Sequence, residues 1–87
     1  MNSDSLLQFP CEFPIKAMGR SNDDLLPLIA TIVSRHAPDW DPSRFSVQSS
    51  RNGRFQSITV TIQARSREQL DAIYHDLSAQ EQVMVAL

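Results

Sequence analysis

The chain has 87 residues, 41% of them hydrophobic and 21% charged, and its eight basic and ten acidic residues give a formal charge of −2. That length holds one domain with one modest core and leaves no room for a second. The patterned Ile, Leu and Val exclude intrinsic disorder, the slightly acidic balance excludes a global field for a nucleic-acid backbone or an anionic membrane, and a single cysteine excludes an internal disulfide or a thiolate zinc cluster.

Residues 1–12 mix polar side chains with Leu6, Leu7 and Phe9 before Pro10, which reads as an extended N-terminal arm. From residue 13, Phe13, Ile15 and Ala17 alternate with Pro14, Lys16 and Met18 up to Gly19, the period-two pattern of a first strand with one side buried. Ser21 and Asn22 then offer cap oxygens, Asp23 and Asp24 suit a helix N-terminus, and Leu25, Leu28, Ile29, Ile32 and Val33 recur at helical spacing, predicting a helix over 23–37. Pro27 conflicts mildly with that helix and Pro38 stops it. Residues 39–43 form a loop.

Asn52-Gly53 is the dipeptide that two-residue type I′ hairpins prefer. With Arg51 and Arg54 flanking it, Val47 faces Ile58, Phe45 faces Val60, Gln48 faces Ser57 and Ser46 faces Thr59, so apolar meets apolar and polar meets polar. Strands over 45–50 and 55–64 follow. Ser66 with Gln69 three residues on makes a capping box, and Leu70, Ile73, Tyr74 and Leu77 stripe a second helix to about residue 79. Residues 83–87 read as a short last strand.

This order, β-α-β-β-α-β, predicts an α+β domain over 13–87: a ferredoxin-like split β-α-β sandwich, with a four-stranded antiparallel sheet in the order 4-1-3-2 and two helices on one face. The expected covered face carries Phe13, Ile15, Phe45, Val47, Ile58, Val60, Ile62, Val83 and Val85; the other face is open. The loop after the first strand, the hairpin tip and the turn over 80–82 share one end of the sheet. Arg44, Arg65, Arg67, the 39–43 loop and the C-terminus share the other.

Phe9-Pro10, Met18-Gly19, Arg35-His36-Ala37-Pro38, Asn52-Gly53 and the terminal Val83-Met84-Val85-Ala86-Leu87 together resemble the YbeD-like family of small uncharacterised bacterial proteins. The resemblance covers nearly the whole chain. It implies a ferredoxin-like fold similar to ACT-type regulatory domains, and members sometimes carry a provisional label linking them to lipoate regulation. Pro27 and Cys11 depart from the family's pattern.

No pair of nucleophile and base stands out, so no catalytic residue, metal or cofactor is expected. His36 continues the apolar side of the first helix and His75 lies on the outward side of the second. Cys11 has no basic neighbour. The open face, with Met18, Phe55, Ser57, Thr59, Thr61 and Met84, suits an unidentified protein partner or a weak homodimer, because short hydroxyl side chains leave a flat surface between apolar anchors. Phe55 is the one outward aromatic, which disfavours base stacking by a nucleic-acid-binding module. A small carboxylate ligand is the alternative, at Gly19, Arg20, Ser21, Arg51 and Arg54 beside the helix N-terminus. The expected setting is the cytoplasm, since a lone thiol favours a reducing compartment and residues 1–8 lack the features of a signal peptide or membrane span. The activity expected there is regulation or adaptation by contact.

Overall fold

A computed structural model describes residues 7–87. Its elements are β1 (Cys11–Arg20), α1 (Leu25–His36), β2 (Phe45–Ser49), β3 (Phe55–Ala64), α2 (Arg67–Ser78) and β4 (Val85–Ala86). The sheet runs β2-β3-β1-β4 with every pair antiparallel, which is the expected 4-1-3-2 order seen from the other side. Part of the expected arm, residues 1–6, lies outside the described residues. Cys11 and Glu12, expected in that arm, are paired with Ala64 and Gln63 and belong to β1.

One core joins the sheet to both helices. Ile15, Ala17, Ile58, Val60, Ile62 and Ala64 rise from the two central strands to meet Leu25, Ile29, Ile32 and Val33 of α1 and Leu70, Ile73 and Leu77 of α2, all buried. These positions follow from periodicity: i, i+2 on the strands and i, i+3/i+4 on the helices. Trp40 is buried from the loop after α1, where its indole Nε1–H donates to Ser34 Oγ at 2.7 Å. An aromatic plug with its one donor satisfied thus closes the end of the core.

α1 begins two residues later than the spacing predicts, and this removes the conflict over Pro27. With Leu25 as the first helical residue, Pro27 is the third, where a backbone N–H has no intrahelical acceptor in any case. Asn22 Oδ1 accepts the Asp24 N–H at 2.8 Å, while Asp24, the N-cap, makes no side-chain cap bond. At α2, Ser66 Oγ accepts from Gln69 N–H at 3.0 Å, and Gln69 Oε1 accepts from Arg65 N–H at 2.7 Å. The expected capping box is present, with its return bond one residue further out.

The hairpin keeps the expected register and changes the turn. Val47 pairs with Ile58 and Phe45 with Val60. The loop is four residues long: Ser50 N–H donates to Phe55 O at 2.9 Å and Gly53 N–H to Ser50 O at 2.9 Å. Among the described residues only Gly53 has positive φ, 75°, so Asn52 does not take the left-handed conformation a type I′ turn demands. Instead Asn52 Oδ1 accepts from Arg54 N–H at 3.1 Å. A two-residue and a four-residue loop centred on the same dipeptide place the same residues opposite each other, so the register survives.

Three expectations about coverage are corrected. Phe45 and Val47 do lie on the helix side of the sheet, but they are 43% and 40% exposed, because two twelve-residue helices reach over β3, β1 and β4 and leave β2 bare. Val85, expected under the helices, pairs with Met18 on the open side and is 44% exposed. The C-terminus is not at the far end of the sheet: Leu87 exchanges both backbone bonds with Lys16, midway along β1.

The middle correction has a local cause. Val83 is buried, Met84 and Val85 are both exposed, and Ala86 is half-buried again. Alternation is interrupted by one residue, and the Met84 N–H donates to Met18 O at 2.7 Å although Val85 is the residue paired with Met18. Two residues facing one is the signature of a β-bulge, and it turns Val85 out.

Candidate functional site

The open face is built by the outward residues of two long strands, β1 and β3, of the shorter β2 and of the bulged β4. Register sets Gln48 beside Ser57, Ser57 beside Met18 and Met18 beside Val85 in one row; Ser46, Thr59 and Lys16 make the next, with Leu87 bonded to Lys16. Arg20 stands opposite Phe55, its guanidinium carbon 5.8 Å from the ring centroid, a cation–π contact that holds the ring at the rim. Between the first row and the Phe55 ring a shallow depression of about 200 Å³ is lined by Met18, Gln48, Ser50, Phe55 and Ser57 among others.

Of the residues expected to form a protein-contact surface, Met18, Phe55, Ser57, Thr59 and Thr61 share this face. Met84 is 58% exposed and adjoins it through the bulge rather than from a regular strand position. Val85 and Leu87, 44% and 65% exposed, extend the apolar surface beyond the expected set. Strict alternation hides Val85, and only the bulge reveals it.

The residues expected at the carboxylate site are also neighbours, in a different arrangement. Ser21 N–H donates to Arg54 O at 2.8 Å, tying the loop after β1 to the hairpin tip. Ser21 Oγ is buried without a hydrogen-bond partner. Gly19 is buried against α1, and a Cβ there would lie 2.2 Å from the Gln82 carbonyl oxygen. Its smallness serves the approach of the turn before β4, and the group beside it is a carbonyl, which repels an anion. Arg20 is turned to the open face, and Arg51 and Arg54 are exposed.

A polar cluster that periodicity does not reveal clasps the two helices. His36 Nε2 lies 2.7 Å from Asp76 Oδ2, and Arg35 donates to the same oxygen at 3.0 Å. The bond from His36, with Arg35 beside it, holds the Asp76 carboxyl below its ordinary range against the opposing cost of desolvation. Gln69 Nε2–H donates to His36 O at 3.0 Å. A hollow of about 270 Å³ beside it is lined by His36, Pro38, Asp39, Arg65 and Gln69, and an ion pair between Asp39 and Arg65 spans its wall. Among the described residues no hydroxyl or thiol lines this hollow. The partners are forty residues apart in sequence, a separation at which spacing carries no signal.

His75 is exposed and Cys11 half-buried. Among the described residues no three His, Cys, Asp or Glu side chains are placed to hold a metal ion. No helix among them is long and apolar enough to cross a membrane.

Fold and surface define a ferredoxin-like α+β domain with both helices on one face and a mixed apolar and hydroxyl surface on the other. The solution structure of protein HP0495 from H. pylori shares this fold at a TM-score of 0.73 and 18% identity, covering 100% of this chain and 94% of that one. The chain belongs to the family described as "Protein of unknown function (DUF493)", whose model matches residues 4–87, as the YbeD-like resemblance implied. It is 45% identical to the UPF0250 protein NE1487 of Nitrosomonas europaea, over 100% of both chains. It is 42% identical to the UPF0250 protein of Paraburkholderia phytofirmans, over 98% of this chain and 96% of the relative.

Proposed function

We propose that the domain is a non-enzymatic regulatory or adaptor module of the cytoplasm that acts by binding another protein through its open sheet face. The observation that supports this reading is the adjacency of Met18 and Val85 across the β1–β4 pair, with Leu87, Met84 and Phe55 around them, on a surface whose other residues are mainly Ser, Thr and Gln with Lys16 and Arg20 among them. Apolar anchors on a flat polar ground are the composition of a contact surface that remains soluble when vacant. The test is affinity capture of the tagged chain from its native cell beside Thr59→Asp and Met84→Asp variants. Partner recovery falls at least roughly tenfold for each if the face makes the contact; equal recovery by wild type and both variants sinks the reading.

A small carboxylate near the loop after β1 is the second reading, as in a metabolite-sensing domain. The unpartnered Ser21 Oγ supports it, with Arg54 close by, and the Gln82 carbonyl beside Gly19 opposes it. Amide shifts at residues 19–22 during titration with amino acids or lipoate separate this reading from the first.

A further inference from the structure

The two edges of the sheet are built differently. β4 offers two paired residues and a bulge, both of which blunt an edge. β2 offers five residues in sequence, Phe45-Ser46-Val47-Gln48-Ser49, all exposed and none of them charged, proline or glycine. The ladder fixes which backbone groups face outward. Thr61 N–H donates to Arg44 O at 3.1 Å and Ser50 N–H to Phe55 O at 2.9 Å, so the even-numbered residues of β2 spend their backbone bonds on β3. Phe45, Val47 and Ser49 therefore turn N–H and C=O away from the sheet. The Phe45 and Val47 side chains stand on the helix side, beyond the helices, and are exposed.

We propose that a second copy of this chain docks on this edge, β2 against β2 and antiparallel, in the register centred on Ser46. A two-fold pairing that uses the outward groups must set odd-numbered residues opposite odd-numbered ones. Centring on Val47 places Phe45 opposite Ser49, and centring on Gln48 places it opposite Arg51. Centring on Ser46 sets Phe45 opposite Val47 twice, so each exposed apolar side chain meets an apolar one. The same register brings the hairpin tip of each copy, with Arg51 and Arg54, alongside the loop of the other that carries Asp41. Arg51 and Arg54 make no salt bridge among the described residues. Asp41 is held in its charged form by bonds from the Ser43 N–H and hydroxyl. Apolar and charge complementarity thus choose one register, and the product is a continuous eight-stranded sheet, twice the four strands of one chain. This pairing uses the edge of β2 and leaves the open face free.

The test uses the full chain with Cys11→Ala. In the proposed register Ser46 faces its own copy at a non-hydrogen-bonded position, where Cα atoms lie about 4.5 Å apart, within disulfide range. Ser46→Cys therefore oxidises to a covalent dimer. Gln48→Cys does not, since its copies are displaced along the strands by roughly 13 Å. Sedimentation equilibrium of the otherwise unchanged chain gives a mass rising with concentration toward twice 9.8 kDa. Val47→Lys, at an exposed position, raises the dissociation constant at least roughly tenfold. A single-chain mass at every concentration overturns the proposal. So does cross-linking at Gln48→Cys as efficient as at Ser46→Cys, or a dimer indifferent to Val47→Lys.

Discussion

Gly19→Ala tests whether the turn before β4 is packed as tightly as the structure shows. Gly19 does not have positive φ, so alanine is conformationally acceptable there, and on unfolded-chain entropy alone it would stabilise by about 0.4–1 kcal/mol. Sterically it is not acceptable. The new methyl group would stand 2.2 Å from the Gln82 carbonyl oxygen and 3.3 Å from both Leu25 methyls, and the first of these is backbone that cannot rotate aside. Overpacking of this kind costs about 1–3 kcal/mol, and a clash with backbone belongs at the upper end. Net destabilisation is therefore about 2 kcal/mol, which for a domain of this size lowers Tm by roughly 8–16 °C. Gly53→Ala is the control. Nothing lies within 4 Å of its Cβ, but φ is +75°, so its cost of about 1 kcal/mol is conformational and confined to the hairpin. Thermal unfolding gives the magnitudes, and amide exchange locates them. In Gly19→Ala the amides of Met84 and Leu87, bonded to Met18 O and Lys16 O, lose protection ahead of the β2–β3 ladder. An unchanged or raised Tm, or exchange that accelerates evenly over the sheet, would refute the argument.

Ile58→Ala empties a fully buried site on the central strand facing the helices and costs about 2–5 kcal/mol in denaturant unfolding. Ser66→Ala removes the acceptor for Gln69 N–H at the start of α2 and costs about 1 kcal/mol by the same measurement. Asp76 gives the stability a pH dependence of known sign. Its folded-state pKa lies below the ordinary 3.8, so its stabilising effect is complete well above that value and is lost as pH falls through 3.8 toward the lowered one. Acid titration of stability should show a shallower loss in that window for Asp76→Asn than for the wild type; identical slopes would mean that the helix clasp does not contribute.

Periodicity and one dipeptide made most of the fold legible. The register of Val47 with Ile58 came from matching apolar residues on either side of Asn52-Gly53, and it holds although the turn itself is of another kind. Alternation identifies the side of a sheet on which a residue lies; it does not say whether anything covers that side. Phe45 and Val47 show the difference, since their phase is that of the core but the helices stop short of β2. A single inserted residue defeats the same rule at Val85. Trp40, in a segment that reads as a loop between Pro38 and Pro42, enters the core because of where the loop lies in space rather than by any local pattern. The expected surface residues were found together because strand neighbours are fixed by register. The contact of His36 with Asp76 leaves no mark in the sequence pattern, because side-chain contacts between helices depend on three-dimensional packing.

The β2–β3 hairpin also constrains how this part of the gene can vary. Side chains alternate with a period of two, so adding or deleting residues symmetrically in pairs about Asn52-Gly53 leaves Val47 opposite Ile58 and keeps every apolar residue on its side. A single-codon insertion or deletion within the paired part of β2 or β3 has no such neutral solution: it must either be absorbed as a new bulge or turn the rest of that strand over, exposing core positions and burying Ser and Gln. Parity, more than length or composition, is the quantity that selection must conserve along the two paired strands, while the loop between them is free of it.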